Sequence, residues 1–245
     1  MNGGSGGERD DYVRFLIVFH PRCGSSWLRS MLAANANLEA GAELLADKQS
    51  ADRQRAFMDA FYTKPRKNGI EAVGFKAGPH QIIDKPAFVE QVSRLGLRVI
   101  EITRDDLLKT SISQIRRGEL AEQAKNATGK AVQNLVDGLD RPPPSTINPA
   151  ELLRQLRRDD TARNDAKLVA GLASSPRLTL TYETLLRDRH AALDRVADFL
   201  GVEIAERDDF RPRKNTPDDL AEAVANLDEV REALLDSDYA GLIET

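Results

Sequence analysis

Apolar residues run unbroken through Phe15-Leu16-Ile17-Val18-Phe19 and stop at His20-Pro21. Short, near-continuous apolar runs rich in β-branched and aromatic residues are the mark of strands buried on both faces of a parallel sheet. The first is assigned to Val13–Phe19, and similar runs at Ala72–Lys76, Arg98–Thr103 and Arg177–Tyr182 give three more. Between and after them the apolar positions recur at helical spacing. Pro86–Leu95 has Asp84 just upstream and ends at Gly96, while Asn148-Pro149-Ala150-Glu151 opens a helix whose apolar face is Leu152, Leu153 and Leu156. His190–Leu200 carries Leu193, Val196, Ala197 and Leu200 on one side and is closed by Gly201. Thr216-Pro217-Asp218-Asp219 is expected to open a last long helix with Leu220, Val224, Leu227 and Leu234 inward. This alternation predicts an α/β fold of three layers, with a mostly parallel central sheet flanked by helices.

Two regions carry weaker patterns. Asn35–Leu38 reads as a turn, and residues 41–68 are polar with a helical tendency near Ala51–Phe61. Residues 118–146 are weakly apolar and run into Pro142-Pro143-Pro144. Their length suits a flap or acceptor-binding insert, with surface helix and linker an equal alternative. Residues 1–11 read as a flexible tail and residues 12–245 as a single domain. No repeat is visible.

Composition narrows the function classes. The chain has 245 residues, 41% hydrophobic and 30% charged, enough for a full α/β core. Thirty-five basic against 39 acidic residues leave a net charge of −4, which argues against a general nucleic-acid binder. Cys23 is the only cysteine, so neither an internal disulfide nor a cysteine-rich metal site can form. No apolar run has the length of a membrane span, and the first residues do not resemble a signal peptide, so a cytoplasmic protein is expected.

The candidate chemistry starts where the first strand ends. Arg22-Cys23-Gly24-Ser25-Ser26 separates that strand from a helix whose apolar positions are Trp27, Leu28, Met31 and Leu32. A strand feeding a tight loop that opens a helix directs loop amides and the positive end of the helix dipole at an anion. Gly24 permits close backbone approach, Arg22 adds a fixed charge, and the two serines add hydroxyls. The loop departs from the nucleotide triphosphate pattern G-x-x-x-x-G-K-[ST], because His20 stands at the first Gly and Ser25 at the Lys. The other strands end at Lys76, at Arg104 and at Tyr182-Glu183. In a parallel sheet these ends share one edge, where ligands bind. Two arginines, a lysine and a tyrosine thus converge without reference to any family.

The motif P-R-x-G-[ST]-[ST]-W-L at Pro21–Leu28 resembles the 5′-phosphosulfate loop of the sulfotransferases, which use 3′-phosphoadenosine 5′-phosphosulfate (PAPS) as donor. The resemblance extends over roughly residues 15 to 239 and implies the P-loop-like sulfotransferase fold. It implies that Arg22, Cys23, Gly24, Ser25, Ser26 and Trp27 hold the 5′ end of the donor. Arg104 and Ser113, nine residues apart, resemble the pair that holds its 3′-phosphate; Ser111 and Ser113 straddle the R-x-x-x-x-x-x-x-S spacing of many members, and the bacterial pattern R-x-N-L-L-x-x-x-x-S matches Ser113 better. Leu178–Val202 resembles the "YEDL…FLG" segment with Thr184 in place of Asp, and places Tyr182 beside the adenine. Arg213-Lys214-Asn215 is similar to the late basic segment that closes over the 3′-phosphate, although no R-K-G signature is present.

For catalysis the resemblance implies Glu43 as general base, with His80 its rival and His20 a third option. Glu43 matches a G-E-E pattern only in part, since Ala42 replaces the first acid, and His80 lies four residues past Lys76 where two is usual. Lys76 would assist the sulfuryl or leaving oxygens. The implied reaction transfers a sulfuryl group to a hydroxyl, less readily an amine, of a small-molecule, sugar or lipid acceptor, with no metal required. The alternatives are a nucleotide kinase with a degenerate loop and a non-catalytic nucleotide-binding protein. The sequence leaves oligomeric state open, a homodimer included.

Overall fold

The computed structural model describes residues 8–9, 11–128, 143–205, 216–217 and 219–243. The strands are β1 (Glu8–Arg9), β2 (Val13–Phe19), β3 (Leu38–Gly41), β4 (Arg66–Lys67), β5 (Ala72–Ala77), β6 (Arg98–Thr103) and β7 (Arg177–Thr181). The helices are α1 (Ser25–Ala33), α2 (Ala51–Thr63), α3 (Lys85–Arg94), α4 (Leu107–Thr128), α5 (Pro149–Leu172), α6 (Tyr182–Arg187), α7 (Arg189–Leu200) and α8 (Leu227–Leu235). Two compact units result, residues 1–103 with 162–209, and residues 104–161 with 210–245.

The first unit is built on a five-stranded sheet in the order β3-β5-β2-β6-β7, with every pairing parallel. The α/β expectation therefore holds, and the four strands read from the apolar runs are β2, β5, β6 and β7. The central strand explains the unbroken run in the sequence. Phe15, Ile17 and Phe19 face a core layer with Trp27, Leu28 and Leu32 of α1 and Leu193, Val196 and Leu200 of α7. Leu16 and Val18 face the opposite layer, with Met58 and Tyr62 of α2, Phe88 and Val92 of α3, and Val169 and Ala170 of α5. Because both sides of β2 are covered from Phe15 onward, the strand stays apolar from there to His20.

Local signals set most helix starts. Asp84 caps α3 by accepting from the Ala87 N–H at 3.0 Å, as Asp188 does for α7 from Ala191. Asn148 accepts from the Ala150 and Glu151 amides at the start of α5. Gly201 closes α7 at φ +67°, a left-handed conformation that glycine adopts without steric cost.

The structure departs from the sequence reading at four places. The turn read at Asn35–Leu38 is present, with the Leu38 N–H on the Asn35 carbonyl at 3.0 Å, but it runs into β3, a strand the sequence reading did not include, which pairs with β5. Tyr182, read as the end of a strand, instead begins α6, with the Thr181 hydroxyl accepting from the Thr184 amide. The final helix does not open at Thr216-Pro217. Asp219 caps a short 3₁₀ turn at Leu220–Glu222, Val224 bridges to Ser145, and α8 begins only at Leu227. Asn226 exchanges hydrogen bonds with Ile147 through its side chain at 2.9 Å in both directions, and this long-range tie interrupts the helical pattern. Glu8 and Arg9, placed by sequence in the tail, pair antiparallel with β4. Of residues 118–146, positions 129–142 lie outside the described residues.

The second unit has its own core of Leu107, Leu108 and Ile112 of α4, Leu152 and Leu156 of α5, and Val230 and Leu234 of α8. Arg116 is fully buried there and donates to the carbonyls of Ala223 and, at 3.0 Å, Pro143. A planar guanidinium can gather carbonyls from separate segments in this way.

Gly74, on β5, has no space for a side chain, because a Cβ there would overlap the Phe15 carbonyl oxygen and ring. Neither the sheet backbone nor a core ring can yield cheaply. Gly74→Ala is therefore expected to destabilise the protein by about 3 kcal/mol, measured as a lower urea midpoint with an unchanged m-value.

Candidate active site

The loop between β2 and α1 is shaped by two left-handed residues. Arg22 has φ +62° and Gly24 φ +85°. A non-glycine residue in this region is strained by roughly 1–3 kcal/mol, and such strain gathers at functional positions. Gly24 is the N-cap of α1 and contributes no side chain, so its carbonyl receives the Trp27 and Leu28 amides at 3.0 and 3.1 Å. The start of α1 therefore turns its first N–H groups and its dipole toward the loop.

Two further residues hold this turn. His20 is fully buried, with Nδ1 3.1 Å from the Pro21 carbonyl and Nε2 3.3 Å from the Thr103 hydroxyl. A carbonyl can only accept, so Nδ1 carries the proton and Nε2 accepts from Thr103. This makes His20 a brace for the loop. Gly24 has Tyr182 against it: a Cβ would stand 2.7 Å from the ring, and Tyr182 meets Trp27 edge-on at 6.3 Å between centroids.

Lys76 supplies the positive charge that the loop lacks at position 25. It sits next to last in β5, opposite Ile17 of β2, and is only 5% exposed. Its ammonium donates to Ser26 Oγ at 2.8 Å and, more weakly, to Ser25 Oγ at 3.4 Å. It pairs with Glu43 Oε1 at 2.9 Å and lies 4.6 Å from the centre of the Phe19 ring. Lys76 is thus a buried, partnered ammonium rather than a surface amine. Glu43 follows β3 in the chain, and its second oxygen, Oε2, accepts from the Gln81 side chain.

His80 stands beside this group in the 3₁₀ turn Pro79–Gln81, edge-on to Phe19 at 6.0 Å. Its pKa is lowered from 6.5, chiefly because the protein desolvates it, with Glu43 opposing and Lys76 reinforcing that shift. The imidazole is therefore neutral at pH 7 and able to accept a proton. Cys23 is completely buried, and loss of solvent drives its thiol to about 11 against weaker lowering by the Ser25 and His20 backbones and by Lys76. Its side chain is inert packing, and only its backbone is available to a ligand.

The first unit thus brings together Arg22, Cys23, Gly24, Ser25, Ser26, Trp27, Glu43, Lys76, His80 and Tyr182. Arg104 and Ser113 belong to the second unit. Arg104 directly follows β6, and Ser113 is buried in α4. Ser111 donates to Asp159 at 2.8 Å, which gives it a structural partner. Arg213 and Lys214 lie outside the described residues. Sequence reasoning missed Gln81 altogether, because a lone glutamine belongs to no motif. Among the described residues no cluster of His, Cys, Asp and Glu is arranged to hold a metal ion, and no helix is long and apolar enough to cross a membrane.

Comparison with known proteins agrees with this architecture. The chain is 26% identical over 245 residues to nodulation protein H of Rhizobium meliloti (strain 1021), a match covering 94% of each protein. It is 28% identical over 246 residues to nodulation protein H of Rhizobium tropici, covering 94% of this chain and 92% of that one. Among solved structures, mouse sulfotransferase SULT7A1 complexed with PAP superposes with a TM-score of 0.51 at 16% identity, over 96% of this chain and 89% of that one. No protein-family model matches. The fold is that of the sulfotransferases, as the resemblance of the first loop implies.

The state of Cys23 is directly measurable. With a pKa near 11 rather than 9.0, about one thiol in a thousand is ionised at pH 8, and only the thiolate reacts. Alkylation by iodoacetamide at pH 8 is expected to be at least ~100-fold slower in the native protein than in guanidinium chloride, followed by mass spectrometry. Comparable rates would show that the loop is open to solvent.

Proposed function

We propose that this protein is a sulfotransferase that moves the sulfuryl group of PAPS to a hydroxyl, less readily an amine, of a small-molecule, carbohydrate or lipid acceptor. The observation that carries this reading is the Arg22–Ser26 turn with Lys76 joined to its two hydroxyls. The turn has the shape of a phosphate cradle, yet its lysine arrives from the neighbouring strand. Support also comes from the fold and from the complex of a mouse sulfotransferase of this fold with PAP.

In the proposed reaction the acceptor oxygen bonds to sulfur as the bond from sulfur to the 5′-phosphate oxygen breaks. The acceptor proton passes to Glu43, and the bisphosphate leaves carrying the electron pair. Arg22, the loop amides and the Ser25 and Ser26 hydroxyls hold the 5′-phosphate, and Lys76 neutralises charge growing on the leaving oxygen. The sequence resemblance assigns Arg104, Ser113, Arg213 and Lys214 to the 3′-phosphate, and Tyr182 with Trp27 borders the adenine. No metal enters these steps. His80 is the second candidate base, favoured by the burial that keeps it neutral.

Calorimetry separates this reading from its rivals. The protein is expected to bind 3′,5′-adenosine bisphosphate without metal and more tightly than ATP with Mg²⁺; the opposite preference would identify a kinase. Arg22→Ala should weaken bisphosphate binding about 10- to 100-fold and Ser113→Ala about 10-fold, from the loss of charge-assisted hydrogen bonds.

Turnover is read as bisphosphate released from PAPS with a panel of sugars, phenols and fatty alcohols as acceptors, and with water alone. Glu43→Gln keeps an acceptor for Lys76 while removing the base. It should hold bisphosphate affinity within about twofold and lower turnover by about 10²- to 10⁴-fold. His80→Asn should retain most turnover. The reverse pattern would transfer the base role to His80, and release of no bisphosphate by the unaltered protein under any condition would leave only a binding role.

A further inference from the structure

We infer that Gln81 is a positioning residue for Glu43, fixing the plane of its carboxylate against the acceptor proton. This rests on the reading of Glu43 as general base. The orientation of the Gln81 amide follows from its two contacts. The Gly78 N–H can only donate, and it reaches Gln81 Oε1 at 3.1 Å. The carboxamide nitrogen therefore points the other way, where Glu43 Oε2 accepts from it. A flipped amide would set oxygen against carboxylate and nitrogen against N–H, losing both bonds.

The backbone that carries Gln81 is itself pinned. Its N–H closes the 3₁₀ turn on the Gly78 carbonyl at 2.9 Å. Its carbonyl accepts from the side-chain nitrogen of Gln54, whose side-chain oxygen accepts from the Ile83 N–H at 3.2 Å. Gln54 lies on α2 and is 4% exposed, so the bracket is anchored in a helix packed on the sheet.

Lys76 alone would not aim the carboxylate. One ammonium contact at 2.9 Å leaves the group free to swing about its terminal torsion. A second donor on the other oxygen defines the plane and leaves each oxygen with an unused lone pair for a proton. The second donor is neutral. A second cation there would hold the carboxylate ionised and oppose the proton transfer that the reaction needs, whereas an amide orients it without adding charge. Geometry of this kind acts on the rate, because a small misplacement of a catalytic group can cost on the order of a hundredfold.

The test uses the full-length protein with PAPS and whichever acceptor of the panel releases bisphosphate fastest, or water if none exceeds it. Gln81→Met removes the donor at nearly constant size. Gln81→Glu keeps an acceptor for the Gly78 N–H but sets a carboxylate against Glu43. Both are expected to lower kcat about 10- to 100-fold while the PAPS KM and the bisphosphate Kd stay within about twofold, and Gln81→Met should cause no further loss in a Glu43→Gln background. Unchanged kcat in both variants, or the same fold-loss with Glu43 already replaced, would overturn the positioning role. The two readings fail separately: full turnover by Glu43→Gln alone removes the base assignment and Gln81's role with it. An inactive Glu43→Gln beside a fully active Gln81→Met removes only the latter.

Discussion

The buried ammonium of Lys76 organises the first unit. Taking a charge out of water costs several kcal/mol unless partners replace its hydration. Lys76, 5% exposed, is given Glu43, the hydroxyls of Ser25 and Ser26, and the face of Phe19. Each of these partners comes from a different place in the chain: the end of β2, the start of α1, and the segment after β3. The lysine can satisfy its charge only if the strands stand in the register that sets Ile17 opposite Lys76. The sheet and the loop are thus mutually dependent. This also explains why serine occupies position 25, since a second lysine at the same spot would place two ammonium groups within the same small volume.

The loop itself is held against its own preferences. Arg22 at φ +62° would relax to an ordinary conformation if nothing opposed it. What opposes it is rigid: His20 locked between Pro21 and Thr103, Cys23 sunk into the core, and Ser25 and Ser26 tied to Lys76. The consequence is pre-organisation. An anion entering the turn would find the first amides of α1 and the serine hydroxyls already oriented, and so would not have to order them.

What could be read from the sequence divides along a physical line. Arg22, Gly24 and the two serines were legible because a strand, a turn and a helix start follow one another within a dozen residues. The buried strands were legible because double-sided burial writes continuous apolar runs. β3 was not, since Leu-Glu-Ala-Gly at a sheet edge carries little apolar signal. The final helix misled because Leu220, Val224 and Leu227 keep helical spacing while Asn226 is bonded to Ile147, far away in the chain. The same limit applies at the site. Lys76 could be placed at a strand end but not on Ser26, because that contact depends on strand register. Gln81 was invisible, for its role lies wholly in two hydrogen bonds that no spacing rule encodes.

Gly24 shows how tightly local and distant constraints meet. Its positive φ would by itself strain any other residue. Independently, Tyr182 presses its ring where a Cβ would have to stand, 2.7 Å away. Tyr182 is in turn fixed as the first residue of α6, whose start is capped by Thr181 at the end of β7. The far edge of the sheet therefore supports the turn at its centre, and an aromatic face is delivered beside the helix start by the same geometry. Even a residue tolerant of the left-handed region, such as asparagine, would have to displace that ring, so the glycine answers to packing as well as to backbone conformation.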